Sequence, residues 1–391
     1  MRGLRPNGTR AYVALRLFGQ SAEFAVWIVL ARRLRPAELG VLTIGFLIAR
    51  YSGLVADWGA ITRGARDVAS PHLSAVVPAL LRHRTRVTVA LVIAFVAAAA
   101  ALGHAELAPL AGVILGLGAN RDWLALGRGR PAAAGLPLAA QGALMLGGAA
   151  LPHTVGQASA LVGASYAGAA LLSVALNPRP EPRDRRPHAP VVDGWMLLAF
   201  LSIQLTSTAD TVLLGVLASP KDAGVYSAAY RLPNAVTALL TALLAGLLPR
   251  LTAARADDPG ALARLSARAL RASRVAALGV LALTPVVAVV FPWVFGDAYA
   301  SGRAALVILM IATAVITLSA PLHPMQVSVG HDRSYAMVVG AGAAVNTVLN
   351  LALIPTLGAV GAATSTLVAQ VLVAGRLWRL RRADLRPHDA G

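Results

Sequence analysis

PAELGV at 36–41 and PKDAGV at 220–225 spell one pattern, P-x-[ED]-x-G-V, 184 residues apart. Proline with an acid two positions later fits the first turn of a helix, where the missing N–H costs nothing and negative charge is favoured. That reading explains one copy. It does not explain why the second copy stands at the same place among the apolar stretches around it. The first copy joins an apolar stretch near 11–31 to one near 38–60. The second joins 194–217 to 223–248. Matched placement indicates an internal duplication.

Outward from the two copies, the chain is a series of apolar segments of membrane-crossing length, about 20 residues each. Twelve are expected, near 11–31, 38–60, 86–103, 106–126, 132–151, 156–176, 194–217, 223–248, 272–293, 303–325, 334–355 and 358–378. The composition agrees. Of 391 residues, 57% are hydrophobic and 13% charged, with a mean hydropathy of +0.67. A soluble chain carries about 25% charged residues, so lipid is the expected solvent. The first stretch is long and holds Arg16 and Glu23, unlike the short uncharged core of a cleavable signal. It reads as a retained membrane helix. There is no cysteine, which removes disulfides, zinc–thiolate sites and thiol nucleophiles. No cofactor or metal motif is present.

The chain is basic, with 35 Lys+Arg against 17 Asp+Glu. Either nucleic acid or basic cytoplasmic loops would account for that. Position decides. With the N-terminus in the cytoplasm, 27 of the basic residues fall in cytoplasmic segments. Five (Arg32, Arg33, Arg35, Lys221 and Arg303) fall on the other side. This bias follows the positive-inside rule and needs no nucleic acid. The expected location is the inner (cytoplasmic) membrane, multi-pass, with both termini cytoplasmic. The Arg32-Arg33-Arg35 cluster is a local exception. Residues 177–193, NPRPEPRDRRPHAPVVD, form a Pro/Arg-rich cytoplasmic linker. They separate an N-terminal six-helix lobe, 1–176, from a C-terminal one, 194–391, with a basic tail. The segments near 63–85 and 250–271 are expected to hold surface-lying helices. Arg264, Arg268 and Arg271 share one helical face suited to anionic lipid headgroups. The fold class is all-α and polytopic, about 12 transmembrane helices in two pseudo-repeated lobes.

Charge inside such helices is costly and by default marks function. Arg16, Gln20 and Glu23 share a face of the first helix. Thr43, Arg50 and Asp57 share a face of the second. Gln204, Ser207, Thr208 and Thr211, with Asp210 beside them, line the seventh. Tyr226, Tyr230, Asn234, Thr237 and Thr241, with Arg231 alongside, line the eighth. Asn346 and Asn350 lie one turn apart in the eleventh. The competing reading is structural: Arg16–Glu23 and Arg50–Asp57 as ion pairs, and the asparagines and hydroxyls as interhelical glue. Four polar faces at equivalent places in the two lobes favour a shared water-filled cavity. Arg16, Arg50 and Arg231 suit a phosphate, because the guanidinium fork binds oxygens bidentately. Tyr226 and Tyr230 suit stacking on sugar rings. The substrate-binding candidates are therefore Arg16, Gln20, Arg50, Tyr226, Tyr230, Arg231 and Asn234. Glu23, Asp57 and Asp210 are candidates to carry a coupling ion.

Several stretches also resemble a known family. They are LARRLRPAELGVLTIGFL at 30–47, ADWGAITRGA at 56–65, TADTVLLGVLASPKDAGVYSAAYRLPNA at 208–235, LLPRL at 247–251, FGDAYASGRAALVIL at 295–309 and GAVGAATSTLVAQ at 358–370. Together and in order, they resemble the Wzx-like polysaccharide flippases of the multidrug/oligosaccharidyl-lipid/polysaccharide exporter superfamily. The resemblance implies a twelve-helix, two-lobe fold around a central cavity. It implies transfer of an undecaprenyl-diphosphate-linked oligosaccharide between leaflets by alternating access, with Arg16, Arg50 and Arg231 on the anionic headgroup. The partners so implied are the lipid-linked oligosaccharide, membrane lipids, and the polymerase and glycosyltransferases of polysaccharide synthesis.

Two other functions fit the same composition. A cation-coupled multidrug exporter of the superfamily would favour acids over arginines in its cavity, and here the reverse holds. A membrane-embedded polymerase or ligase would carry a large outer loop with catalytic residues. The outer loops here are short, and they hold no nucleophile–base pair or carboxylate-rich metal motif.

Overall fold

In the computed structural model, residues 6–57, 77–178, 194–244, 259–328 and 331–384 are described. They are almost entirely helical. Arg63 and Arg66, most of the 177–193 linker, LLPRL at 247–251 and the side chain of Thr241 lie outside the described residues.

The N-terminal unit, Met1–Val191, contains α1 (Pro6–Arg33), α2 (Pro36–Asp57), α3 (Val77–Ala101), α4 (Ala111–Gly118), α5 (Asp122–Gly127), α6 (Pro131–Gly148) and α7 (Val155–Leu176). A 3₁₀ turn at Ala105–Leu110 precedes α4. The expected 106–126 helix is therefore broken. Pro109 lies in the 3₁₀ turn, and a second break at Ala119–Arg121 separates α4 from α5. The C-terminal unit, Val192–Gly391, contains α8 (Gly194–Leu217), α9 (Pro220–Leu244), α10 (Pro259–Phe295), α11 (Arg303–Ser319), α12 (Leu322–Ser328) and α13 (Asp332–Asp384). Among the described residues, eight helices are long and apolar enough to cross a membrane.

Three expectations change in detail. The ninth helix is 37 residues long and begins at Pro259. Arg264, Arg268 and Arg271 thus extend a crossing helix instead of forming a separate surface one. Likewise 77–85 belongs to α3, not to a loop. The eleventh and twelfth helices run on as α13, interrupted at Gly358, whose φ of 52° and ψ of −129° break the helix. A positive φ of that kind is open to glycine at little cost.

The repeated P-x-[ED]-x-G-V signature is a pair of helix caps. In the first copy Glu38 accepts from the Arg35 backbone N–H at 2.8 Å and from its guanidinium at 3.1 Å. In the second, Asp222 accepts from the Ser219 hydroxyl at 2.5 Å, and the Asp222 N–H donates back to that hydroxyl at 3.1 Å. The acid at the third helical position closes the first turn in both, as a capping box does. The outer arginine cluster also finds partners. Arg35 joins the cap, and Arg33 lies 3.1 Å from His153.

Each unit repeats one pairing scheme. The first helix packs on the fifth (α1 on α6, and α8 on α13), and the second on the fourth (α2 on α4, and α9 on α11). Without a hydrophobic drive between helices in lipid, close approach of small residues supplies much of the packing. The tightest case is α4 against α7. A Cβ on Gly112 would lie 2.2 Å from the Gly163 carbonyl oxygen, and one on Gly163 would lie 1.9 Å from that of Pro109. Backbone fills both spaces.

Candidate functional site

In the N-terminal unit the polar side chains of four helices meet. Trp27 of α1, Phe46 of α2 and Tyr166 of α7 make edge-on ring contacts, with centroids 5.2 and 6.0 Å apart. This column fixes Tyr166, whose hydroxyl donates to Glu23 of α1 at 3.3 Å. Gln141 of α6 and Arg50 of α2 lie within electrostatic reach of the same hydroxyl. Gln141 is buried and Glu23 half-buried, whereas Arg50 is exposed. Arg16 and Gln20 continue the α1 face. Arg16 is exposed and donates to the Tyr12 hydroxyl at 2.9 Å.

Neither expected in-helix ion pair forms. Glu23 takes Tyr166, not Arg16, as its partner. Asp57 takes Arg84 of α3, 2.7 Å away, and not Arg50. Arg84, expected in a cytoplasmic loop, is instead among the largest fully buried side chains. Its guanidinium also donates to the carbonyl oxygens of Leu117 and Asn120, at 3.1 and 3.0 Å, and lies 5.8 Å from the Trp123 ring. Asp57 and Arg84 thus tie α2 and α3 to the break between α4 and α5. Beside them Ser173 of α7 donates to Asp122 at 2.6 Å.

The C-terminal unit has its own buried centre. Asp210 of α8 is 1% exposed. It accepts from the Tyr226 hydroxyl at 2.8 Å, from Asn350 Nδ2 at 2.6 Å and from the Thr366 hydroxyl. Asn350 also donates to Asn346 Oδ1 at 3.2 Å. The Asn350 Oδ1 is buried and has no hydrogen-bond partner among the described residues. All of these donors are neutral, and an ionised carboxylate in apolar surroundings requires such donors or a counter-charge. Tyr226, expected on a sugar, is buried against Asp210 and stacks on Tyr230 at 5.8 Å. Arg231 is half-buried and Asn234 exposed. The structure brings neither into the Asp210 cluster.

Sequence reasoning missed Tyr166, Gln141, Arg84 and Thr366. Gln141 is the lone polar side chain of the apolar α6, a signal available to a residue-by-residue reading. Arg84 had no such signal, because its partner lies 27 residues away.

The sequence family described as polysaccharide biosynthesis protein matches residues 164–303, from α7 into α11. No curated protein matches the chain. Solved structures do. An inward-facing multidrug resistance MATE family transporter of the MOP superfamily superposes with a TM-score of 0.74 at 16% identity, covering 97% of this chain and 100% of that one. The lipid II flippase MurJ, in an inward closed conformation, gives 0.67 at 13% identity, covering 97% and 88%. The outward-facing MATE family transporter gives 0.62 at 16% identity, covering 99% and 98%. The chain therefore has the all-helical fold of these transporter structures, and its residues 164–303 match the polysaccharide biosynthesis family.

Proposed function

We propose that this protein is a flippase that moves an undecaprenyl-diphosphate-linked oligosaccharide across the cytoplasmic membrane, and that it has no catalytic centre of its own. The observation that carries the reading is Arg50. It stands inside an apolar helix, exposed and within electrostatic reach of the Tyr166 hydroxyl, which donates to Glu23. A cation kept open at such cost points to an anionic ligand. A phosphate suits the guanidinium, and the sugar's hydroxyls suit the Tyr166, Gln141 and Glu23 side chains. Arg16 and Gln20 extend that face, and Arg231 with Asn234 are the candidates in the other unit. The polysaccharide biosynthesis match supports the glycan half of the substrate.

Asp210 is the proposed site of the coupling ion. Its oxygens and those of Thr366, Asn346 and Asn350 form a hard-oxygen set, suited to a proton or to a small cation such as sodium. Alternatively, the membrane potential drives the anion outward, at about 2.3 kcal/mol per charge per 100 mV.

The cellular test is the lipid profile of variant strains. Arg50→Ala should stop export and accumulate lipid-linked oligosaccharide on the cytoplasmic leaflet at normal protein level. Arg50→Lys should recover only part of the export, because Lys lacks the bidentate fork. An Arg50→Ala strain that exports normally removes Arg50 from the substrate site.

A further inference from the structure

The two halves of α13, before and after Gly358, fold back on each other. Gly342 of the first half approaches Val373 of the second so closely that a Cβ on it would lie 2.3 Å from the valine Cγ2. Between the two halves runs an open groove of about 560 Å³. Its floor is apolar and deepened by small residues: Met337, Ala341, Gly342 and Leu372 line it. Arg376 and Arg379 stand at one end. Along the first half it extends from Ser334 to Val345. At 1.5 Å per residue that is about 16 Å, half of a ~30 Å hydrocarbon core and so the depth of one leaflet.

The arginine end also carries tryptophans. Arg333 lies over the Trp195 ring at 5.3 Å, and Arg381 over Trp378 at 5.4 Å. Tryptophan is enriched at the headgroup level. Arg376 and Arg379 are exposed at that level. Ordinary lipid-facing helix surface needs neither a concavity nor two guanidiniums at its mouth.

We infer that this groove is a binding site for one anionic phospholipid of the bilayer. One acyl chain lies along Met337, Ala341 and Leu372, and the phosphate rests on Arg376 and Arg379. The one-leaflet depth matches an acyl chain, while a polyprenyl chain is much longer. Guanidinium–phosphate bonds are among the stronger hydrogen bonds. The groove therefore selects by headgroup charge. The site lies wholly within the C-terminal unit and does not depend on the transport reading.

Native mass spectrometry of the delipidated full-length protein tests it, with phosphatidylglycerol and phosphatidylcholine of identical chains as probes. The protein should retain one phosphatidylglycerol with about tenfold preference, the worth of one charge-assisted contact. The double variant Arg376→Gln/Arg379→Gln should lose the preference while still binding either lipid weakly. Ala341→Phe, which fills the groove, should lose both lipids. Lys221→Gln/Arg303→Gln, exposed in the same unit but outside the groove, should change nothing. Equal binding of the two lipids overturns the assignment. So does an equal loss in the Lys221/Arg303 variant, which would mean diffuse charge. Displacement of phosphatidylglycerol by an equal amount of polyprenyl phosphate overturns it too, since the groove would then hold the substrate's own tail.

Discussion

Asp57 and Asp210 are both buried acids in apolar helices, and what surrounds each assigns it a different part. Asp57 faces the fixed positive charge of Arg84 at 2.7 Å, so its charge is already satisfied. Asp210 is surrounded by neutral donors from Tyr226, Asn350 and Thr366, which fits the proposed exchange of a cation there. We propose that Asp57 is structural and that ion coupling falls to Asp210. Breaking a buried pair from one side strands the other charge, at a cost of about 3–5 kcal/mol. Arg84→Ala should accordingly lower the thermal midpoint and the abundance of the protein sharply. Arg84→Met combined with Asp57→Leu should recover most of both, because paired apolar replacements of similar volume are often neutral. Thermal melts of the purified variants decide. A double variant as unstable as the single one would show that Asp57 has another duty. The sequence placed Arg50 and Asp57 on one helical face, which is correct. It could not show that the nearer cation comes from α3, because a contact 27 residues away leaves no local periodicity.

At the scale of the element, the helices were legible wherever they were long and apolar. Both copies of the repeated hexapeptide mark a helix start because proline and a carboxylate have a first-turn role. Caps, unlike tertiary contacts, are written locally. The breaks were harder to read. Nothing in the apolar run 106–126 announces that backbone fills the space beside it. The reason lies in the close approach of α7 to the 3₁₀ turn and α4, where Gly163 meets the Pro109 carbonyl oxygen and Gly112 meets that of Gly163. Gly163→Ala has no free volume to enter. Overpacking costs about 1–3 kcal/mol, so its melting temperature should drop measurably, while Gly147→Ala, with open space around it, should melt unchanged. Equal melting of the two variants would mean that α4 and α7 are less tightly packed than the structure describes.

For the whole molecule, charge placement carries the expected orientation. By the positive-inside rule, the 27-to-five bias of basic residues predicts that both termini and the 177–193 linker face the cytoplasm. Reporter fusions after residues 185 and 385 should be active only with a cytoplasmic reporter. Periplasmic activity at either point would overturn that orientation and the even number of crossings behind it. The same composition that made the membrane legible hid the ligand, since an exposed arginine in an apolar helix specifies an anion and not which one. The polar faces of α1 and α2 were visible as helical spacing. Their convergence with Gln141 and Tyr166 needed the fold, because α6 and α7 show no polar stripe of their own. The central claim is that Arg50 serves a lipid-linked diphosphate glycan. It is tested most directly with purified protein in proteoliposomes, following an undecaprenyl-diphosphate oligosaccharide added to one leaflet. The account predicts that the protein equilibrates this lipid between leaflets, and that Arg50→Ala protein, folded and equally reconstituted, does not. Protein that leaves the lipid where it was added while exporting a cationic dye would contradict it.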